Sequence, residues 1–354
     1  MNAKRRILLV SYAYAPGVGG IETVSRLLVA EFVRAGHEVT VLTWTPAGEG
    51  GSDDEPCPVI RHPGPLALLR WTAWADVVFH NNISLTAAWP LALVRRPWVV
   101  AHHTWIARPD GKVTWRDRLK LALTSKAVNI SISAAIAAQL GCASTVVPNP
   151  YEDTRFTLLP DIPRDRDLVF LGRLVSDKGA DVLIAALGLL RAEGLTPTCT
   201  VIGSGPEDGR LRAQALAGGL GAQIEFAGVL RDQTLVEGLN RHRILVVPSR
   251  WREPFGLVAL EGIACGCVAV VSADGGLVDA AGPCGRSVPN GDVPALARCL
   301  RDLLTEPTQI AYLRAGADAH LAHHASTAVA QRYLEIIASA ADARNTPTTA
   351  GAPA

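Results

Sequence analysis

The first 150 residues alternate short apolar runs with segments whose apolar positions follow a helical spacing. The run 7–10 is continuously apolar, which predicts a strand covered on both faces, as in a parallel sheet. Residues 21–32 then repeat apolar side chains every three or four positions, and Gly36 is placed to end the predicted helix. Further strands are expected at 39–42, 77–79, 99–101 and 128–132. The pattern predicts a doubly wound parallel sheet of the α/β class.

The same alternation begins again near Asp167. A helix is expected at 181–191, and strands are expected at 168–171, 199–202, 224–227 and 244–247. This predicts a second Rossmann-like domain. The segment 147–167 contains four prolines among charged residues and is interpreted as the linker. The end of the chain, 342–354, lacks periodicity and is expected to be a disordered tail.

The composition is typical of a globular protein with two cores. The chain has 354 residues, 49% hydrophobic and 19% charged, with a net charge of +1. One small domain, a disordered chain and a nucleic-acid-binding protein are therefore excluded. No apolar run approaches the roughly 20 residues of a spanning helix, and the amino terminus is interpreted as a strand, not a signal peptide. Seven cysteines without paired CxxC blocks favour buried thiols in a reducing cytoplasm.

The run 250–275, RWREPFGLVALEGIACGCVAVVSADG, carries the most informative chemistry of the chain. Pro254 cannot continue a helix and Gly256 tolerates unusual dihedral angles, which predicts Glu253 on a loop. Glu261, eight positions later, is expected on the following helix. That helix leaves backbone N–H groups free for an anion at Phe255, Gly256 and Leu257. Carboxylates for sugar hydroxyls and amides for phosphate predict a nucleotide sugar as the ligand.

Five further segments extend the pattern: GVGGIET at 17–23, VVAHHTW at 99–105, VVPNPYEDTRF at 146–156, LGRLVSDKGADVLIAAL at 171–187 and VIGSGPE at 201–207. Together with the run 250–275, and with Glu253 and Glu261 as an E-x7-E motif, they resemble the retaining glycosyltransferases of family 4. The resemblance covers nearly the whole chain. It implies the GT-B fold, in which two Rossmann-like domains face each other across a cleft. It also implies an acceptor-binding domain at 1–150, a donor-binding domain at 167–325 and a helix at about 326–341 that crosses back to the first domain.

Arg173 and Lys178 bracket a loop between a predicted strand and a predicted helix. Ordinary surface cations are one interpretation, but loops at the carboxyl ends of parallel strands bind ligands. Two cations there would neutralise a diphosphate, which is their role in the family that the chain resembles. No metal is expected, because these cations replace it and the sequence lacks an obvious carboxylate pair for magnesium. The resemblance places Glu253 near the transferred sugar and Glu261 on the ribose hydroxyls.

Two adjacent histidines, His102 and His103, end a predicted strand. A histidine at a strand end is more often a structural hydrogen-bonding residue than a catalyst. The resemblance places His103 at the position that contacts the transferred sugar, with His102 in reserve. The sequence alone leaves the choice between them open.

Glycine-rich loops follow strands in both predicted domains. Gly19 and Gly20 could form a plain tight turn, but they also allow a phosphate to approach the backbone at a helix start. With Glu22, they are expected to contact either the donor phosphate or the acceptor. A base-binding set is expected in the second domain at Gly203, Gly205, Val229 and Leu230. Asn149 and Asp153 are interpreted as hinge residues, although the family commonly has glycine where Pro150 stands.

These features predict a retaining hexosyltransferase that takes its sugar from a UDP- or GDP-hexose and needs no cofactor. The acceptor would be a glycan, a lipid-linked acceptor or a small molecule. Few lysines against many arginines indicate a GC-rich bacterial source, and hence polysaccharide, glycolipid or natural-product synthesis. One alternative is a catalytically weakened GT-B protein that binds a nucleotide or glycan as a scaffold. Another is an isomerase similar to nucleotide-sugar 2-epimerases.

The basic run 114–126 forms a further predicted amphipathic helix. Its apolar face would hold Trp115, Leu119, Ala122 and Leu123. The helix could pack on its own domain or touch a membrane surface, and the sequence leaves both interpretations open. A cytoplasmic location, with contact to the inner face of the plasma membrane as one option, is the corresponding expectation.

Overall fold

The computed structural model describes residues 3–17, 19–48, 55–106 and 112–345, and residues 344 and 345 by backbone only. The chain divides into two compact units. Unit 1 comprises 1–150 and 326–354, and unit 2 comprises 151–325. Val18 of the first glycine loop and the last nine residues of the predicted tail lie outside the described residues. Within the described ranges, no helix is both long and apolar enough to cross a membrane.

Unit 1 is built on a seven-stranded parallel sheet. Its strands are β1 (Arg6–Ser11), β2 (Glu38–Thr43), β3 (Val59–Arg61), β4 (Val77–Asn81), β5 (Trp98–His102), β6 (Val128–Ser131) and β7 (Thr145–Val146). They are ordered β3-β2-β1-β4-β5-β6-β7, and all pairings are parallel. The predicted strands of this unit are confirmed. Apart from Arg6 at the start of β1, the central strands β1, β4 and β5 are buried, which explains why continuous apolar runs identified them.

The helices between these strands are α1 (Gly20–Arg34), α2 (Pro65–Trp74), α3 (Leu85–Ala88), α4 (Trp115–Thr124) and α5 (Ala134–Ala138). A short 3-10 turn, Trp89–Ala92, follows α3. Leu8 and Val10 of β1, Leu68 of α2 and Leu140 after α5 belong to one apolar core. This core fixes α2 and α5 against the sheet, and it determines where the loops at the carboxyl ends of the strands emerge.

Unit 2 repeats this architecture with a six-stranded parallel sheet. Its strands are β8 (Arg166–Leu171), β9 (Cys199–Ile202), β10 (Ile224–Gly228), β11 (His242–Val247), β12 (Val268–Ser272) and β13 (Gly285–Val288), in the order β10-β9-β8-β11-β12-β13. Its helices are α6 (Ala180–Ala192), α7 (Asp208–Ala217), α8 (Asp232–Asn240), α9 (Leu257–Ala264), α10 (Leu277–Ala281), α11 (Val293–Thr305), α12 (Pro307–Arg314) and α13 (Ala317–His324). Two doubly wound parallel sheets, as predicted, are therefore present.

The boundaries differ from the prediction at the segment interpreted as the linker. Unit 2 begins at residue 151, not at 167. Tyr151 and Phe156 are buried, and the backbone N–H of Leu159 donates to Asn240 Oδ1 at 2.8 Å. Because these contacts fix the segment on unit 2, residues 151–165 form part of that unit, and their prolines do not mark a free connection.

The last helix, α14 (Ser326–Asn345), belongs to unit 1. Its Tyr333 is fully buried, and the Tyr333 ring lies edge-on to Phe79 of β4 with 5.7 Å between the ring centroids. The helix ends four residues later than the predicted boundary at 341. Arg5 forms an ion pair with Asp342 at 2.7 Å, which ties this last turn to unit 1. The start of the predicted disordered tail is therefore helical.

Candidate active site

Each sheet reverses its strand order once, and some of the predicted site residues lie in loops at these reversals. In unit 2 the reversal lies between β8 and β11, and in unit 1 between β1 and β4. Loops that leave the carboxyl ends of strands on either side of a reversal diverge, and a crevice opens between them. Residues 172–179 follow β8, and residues 248–256 follow β11. These two loops of unit 2 carry Lys178 and Glu253.

Lys178 and Glu253 are in contact, although 75 positions separate them in the chain. The Lys178 Nζ atom forms an ion pair with Glu253 Oε1. The Ser249 hydroxyl donates to the same carboxylate oxygen at 2.8 Å. The side chain of Glu253 is 12% exposed and that of Lys178 is 28% exposed. The pair thus places the Lys178 ammonium at the opening of the crevice. The Glu253 carboxylate that balances its charge is held by the Ser249 hydroxyl.

Arg173 lies exposed on a loop that is held by close backbone contacts. Gly203 has a φ of +139°, and a Cβ atom there would be 1.9 Å from the carbonyl oxygen of Gly172. A Cβ atom on Gly205 would be 2.3 Å from the carbonyl oxygen of Leu174. Only glycine fits these positions. The sequence predicts that these two glycines border the base of the nucleotide. In the structure they also hold the Arg173 loop.

The other two members of the predicted base-binding set follow β10. The carbonyl oxygen of Gly228 accepts from the backbone N–H of Gly203 at 2.7 Å. Val229 is half exposed, and Leu230 is partly buried. The loops after β8, β9 and β10 therefore meet side by side at the carboxyl edge of the sheet, and together they offer apolar and backbone surface next to Arg173.

The segment after Glu253 forms the expected turn into a helix. Gly256 has a φ of +123°, and a Cβ atom there would lie 2.4 Å from Leu277 Cδ2. Phe255 is buried, and the backbone N–H of Gly276 donates to the carbonyl oxygen of Glu253 at 2.7 Å. Helix α9 begins at Leu257, and no side chain caps its amino end. Backbone donors at this end are thus positioned for an anion.

Glu261 lies on α9, as predicted, in surroundings that favour its neutral form. Burial raises the pKa of its carboxyl to about 7. The nearby Glu152 carboxylate acts in the same direction, whereas the Arg155 guanidinium opposes it. Arg155 also pairs with Glu152 at 3.1 Å. Glu261 therefore changes its protonation state near neutral pH, unlike an ordinary exposed glutamate.

In unit 1 the first glycine loop occupies the reversal between β1 and β4. Helix α1 begins at Gly20, and the carbonyl oxygen of Gly19 accepts from the Thr23 backbone N–H at 3.0 Å. The Glu22 carboxylate folds back over Gly19, where an added Cβ atom would be 2.5 Å from Glu22 Oε2. A carboxylate over this helix start disfavours a second anion and favours a hydroxyl donor.

A buried polar network fixes the start of α1 against β4. The Asn81 amide nitrogen donates to Ser25 Oγ at 2.5 Å, and the Ser25 hydroxyl donates to the carbonyl oxygen of Ile21 at 2.7 Å. The Ser11 hydroxyl, at the end of β1, lies 3.2 Å from Ser25 Oγ. The loop position is therefore set by side chains from β1, α1 and β4 together.

The two adjacent histidines differ in their surroundings. His102 is buried at the end of β5, and its Nε2 atom lies 3.0 Å from Asn129 Oδ1 on the neighbouring strand β6. Burial lowers the pKa of the His102 imidazole, and the bond to Asn129 opposes this change. The hydrogen bond across the sheet gives His102 a structural role.

His103 follows the strand, and an asparagine side chain positions its backbone. Its backbone N–H donates to Asn82 Oδ1 at 2.7 Å. Burial lowers the pKa of the His103 imidazole to about 3; His102 adds to this effect, and a hydrogen bond to the Asn149 side chain opposes it. His103 is therefore neutral at physiological pH. A neutral imidazole can exchange hydrogen bonds with a sugar hydroxyl, but it contributes no positive charge.

Sequence reasoning missed Ser249 and Asn82, and it described Asn149 as a hinge residue only. Glu152 and Arg155 stood inside a quoted motif but received no role. None of these residues carries a signal in the sequence, because each acts through a partner that only the fold brings close. Within the described ranges, no group of three or more His, Cys, Asp or Glu side chains is arranged to hold a metal ion.

Two protein families match this chain, and together they cover most of it. Residues 18–155 match Glycosyltransferase Family 4, and residues 160–319 match the glycosyl transferases of group 1. Glycogen synthase of Mycobacterium tuberculosis is 30% identical over 360 residues, which cover 85% of this chain and 86% of the relative. A GDP-mannose-dependent alpha-(1-6)-phosphatidylinositol monomannoside mannosyltransferase of Mycolicibacterium smegmatis is 28% identical over 349 residues, covering 86% and 91%.

Solved structures show the same architecture. The HepE protein of Anabaena, crystallised with UDP, superimposes with a TM-score of 0.80 at 19% identity, over 94% of this chain and 100% of that protein. Such a likeness establishes the GT-B fold. The chain belongs to the family 4 glycosyltransferases. It is a hexosyltransferase that uses a nucleotide sugar, as predicted.

Proposed function

We propose that this enzyme is a retaining transferase that moves a hexose from UDP- or GDP-hexose to a hydroxyl of an acceptor bound by unit 1. The main support for this proposal is the Lys178–Glu253 pair beside the exposed Arg173 loop, at the strand reversal of unit 2. Two cations and the uncapped amino end of α9 suit a diphosphate. Relatives named as a glycogen synthase and a GDP-mannose-dependent mannosyltransferase support glucose or mannose as the sugar.

The departing diphosphate needs charge stabilisation more than it needs a proton. As the sugar–phosphate bond breaks, negative charge grows on the diphosphate, and Lys178 and Arg173 stabilise it. The departing phosphate then helps to deprotonate the acceptor hydroxyl, which attacks from the same face, so the anomeric configuration is retained. Glu253 lies near the sugar, and neutral His103 exchanges hydrogen bonds with a sugar hydroxyl. No metal ion or other cofactor takes part in this scheme.

The relatives support the proposed pathway. Polysaccharide, glycolipid or natural-product synthesis in the bacterial cytoplasm fits the glycogen synthase and mannosyltransferase similarities. On the acceptor side, Gly19, Gly20 and Glu22 face the strand reversal of unit 1. Because the Glu22 carboxylate folds over Gly19, we assign this loop to an acceptor hydroxyl in preference to the donor phosphate.

A nucleotide panel tests the proposal. Thermal unfolding is measured with UDP, GDP, ADP and dTDP, for the wild type and for Lys178→Ala. At about 100 times the dissociation constant, the right nucleotide should stabilise unit 2 by roughly 2.7 kcal/mol, and the variant should lose the shift. Added EDTA should change neither the shift nor the rate of transfer. A wild-type protein that shifts with none of the four nucleotides would contradict the donor assignment.

The raised pKa of Glu261 predicts a pH-dependent affinity for the donor. Only the ionised carboxylate accepts hydrogen bonds from both ribose hydroxyls. With a pKa of about 7, the ionised fraction rises from about one tenth at pH 6 to about nine tenths at pH 8. Binding of UDP-glucose or GDP-mannose should therefore tighten by up to about ninefold over this interval.

Isothermal titration calorimetry across pH 6–8 measures this effect. Nucleotide sugars are used because, unlike UDP or GDP, they carry no terminal phosphate that titrates in the same range. Glu261→Gln should bind with an affinity that is independent of pH. A variant that keeps the wild-type pH dependence would assign the dependence to another group.

We further propose that α4 makes peripheral contact with an anionic membrane surface. Trp115 is 69% exposed and Leu119 is 43% exposed, with the Arg116 guanidinium 5.4 Å from the Trp115 ring centroid. Of the predicted apolar face, Leu123 packs on the core of unit 1. An exposed apolar face flanked by cations fits the interface of an anionic bilayer.

Vesicle sedimentation measures this contact. The wild type should bind vesicles of phosphatidylglycerol and phosphatidylcholine, but not vesicles of phosphatidylcholine alone. The double variant Trp115→Ala, Leu119→Ala should remain in the supernatant, while Tyr312→Ala, which removes an exposed aromatic residue of unit 2, serves as the control. Equal sedimentation of the double variant and the wild type would refute a role for α4.

A further inference from the structure

Two aromatic side chains form an exposed stack at the carboxyl edge of the sheet of unit 1. Tyr12 directly follows β1, and Trp44 directly follows β2. Their rings are nearly parallel, at 14°, with 6.0 Å between the centroids. Trp44 is partly buried and packs against the core of unit 1. Tyr12 is 67% exposed, so Trp44 supports one ring face and the other is open.

The loops that carry this stack are tied together. The backbone N–H of Trp44 donates to the carbonyl oxygen of Tyr12 at 3.4 Å. The Arg61 guanidinium donates to the carbonyl oxygens of Ala15 and Thr45, at 2.8 and 3.0 Å, which links the loops after β1 and β2. An apolar ring held open to solvent on a rigid support has the properties of a preformed binding surface.

The stack lies on the same sheet edge as His103. In the order β2-β1-β4-β5, the end of β1 lies two strands from the end of β5, or about 10 Å at the spacing of parallel strands. The loop that begins with Tyr12 leads to Gly19 and to the first turn of α1, which carries Glu22. A ligand on the open face of Tyr12 would therefore approach both the glycine loop and the strand end that carries His103.

We propose that Tyr12, supported by Trp44, is a subsite that binds a pyranose ring of a saccharide acceptor. The electropositive C–H face of a pyranose packs on the negative face of an aromatic ring, while the hydroxyls at its rim remain free for polar contacts. An anionic headgroup fits less well, because the nearby Arg61 guanidinium is already directed at backbone carbonyls. This inference rests on the proposed function, and it narrows the acceptor to a sugar-containing molecule.

Saturation-transfer NMR on the full chain tests the subsite without any donor. The probes are maltotriose and the methyl pyranosides of glucose, mannose and galactose, at high millimolar concentration. The C–H protons of at least one probe should receive saturation. Tyr12→Ala should weaken binding by about 3- to 10-fold, whereas Tyr12→Phe should retain it. Tyr312→Ala, which removes an exposed aromatic residue of unit 2, should bind like the wild type. Absence of saturation with all four probes, or equal binding by Tyr12→Ala, would overturn the proposal.

A second readout separates this inference from the proposed function. Tyr12→Ala should keep the thermal shift with nucleotide and the slow hydrolysis of the donor, while KM for a saccharide acceptor rises more than kcat falls. A protein that binds sugars through Tyr12 but shifts with no nucleotide would contradict the donor assignment and leave the subsite standing. A protein that binds nucleotide, and whose Tyr12→Ala variant keeps the wild-type KM, would overturn the subsite alone.

Discussion

Lys178→Ala should lower kcat by about 10²- to 10³-fold, as expected when one preorganised electrostatic contact to the transition state is removed. Lys178 lies at the mouth of the crevice between the loops after β8 and β11, paired with Glu253. Without its ammonium, the growing charge on the diphosphate is left to Arg173 and the backbone donors of α9. Steady-state transfer from the donor identified by the nucleotide panel measures the loss.

Glu253 should show a different kinetic signature from its partner. Glu253→Gln keeps the shape of the side chain and its contact with Ser249, but removes a negative charge beside the diphosphate. The variant should therefore bind UDP or GDP at least as tightly as the wild type, while kcat falls by orders of magnitude. Lys178→Ala should instead weaken nucleotide binding and lower kcat together. Different effects of the two variants on nucleotide affinity would show that Lys178 binds the diphosphate, whereas Glu253 acts at the sugar.

A matched control exists on the same two strands. Arg243 of β11 pairs with Asp167 of β8 at 3.2 Å, near the amino ends of those strands, and both side chains are 28% exposed. Arg243→Ala breaks an ion pair of similar exposure at the opposite edge of the sheet. Its kcat should match that of the wild type. An equal loss in Arg243→Ala and Lys178→Ala would mean that the ion pairs support the fold and that Lys178 has no special role in transfer.

The sequence predicted the central strands well, because parallel strands covered on both faces must be continuously apolar. It assigned no residue range to β12 or β13 of unit 2. It also missed the edge strands β3 and β7. These have three and two residues, and none of their side chains is fully buried, so they carry no apolar run. The misplaced linker has a related cause. Its prolines indicated a turn, but the bond from the Leu159 backbone to Asn240 that fixes it on unit 2 joins residues distant in the sequence.

The contacts within the candidate site could not be predicted from sequence. A motif resemblance identified Lys178 and Glu253 individually, but their ion pair depends on β8 and β11 being neighbours in the sheet. His102 and His103 are equivalent by position. In the structure they differ in their partners: the His102 ring bonds Asn129 on the neighbouring strand, whereas the backbone N–H of His103 bonds Asn82. A family resemblance therefore predicts which residue types occur and their order along the chain. The contact partner of each side chain depends on which strands are neighbours in the sheet.

Gly179→Ala should be a strongly destabilising single-methyl change near the candidate site. Gly179 joins the Lys178 turn to α6 with a φ of +70°, and a Cβ atom there would lie 2.0 Å from the carbonyl oxygen of Pro248. This clash is with backbone, which no side-chain rotation can relieve. The loops after β8 and β11 must therefore move apart, which separates Lys178 from Glu253. Strain of this kind costs roughly 2–5 kcal/mol of the free energy of unfolding.

Differential scanning calorimetry should therefore show a melting temperature for unit 2 that is lower by about 5–15 °C, together with loss of transfer. For Gly188→Ala, within α6, we expect the opposite effect on stability. No atom lies within 4 Å of its added Cβ, and the residue is in a helix interior. Alanine there should stabilise unit 2 by about 0.5–1 kcal/mol and leave activity unchanged. Wild-type stability in Gly179→Ala would show that the two loops can separate without cost, and the rigid crevice inferred from their contact would be wrong.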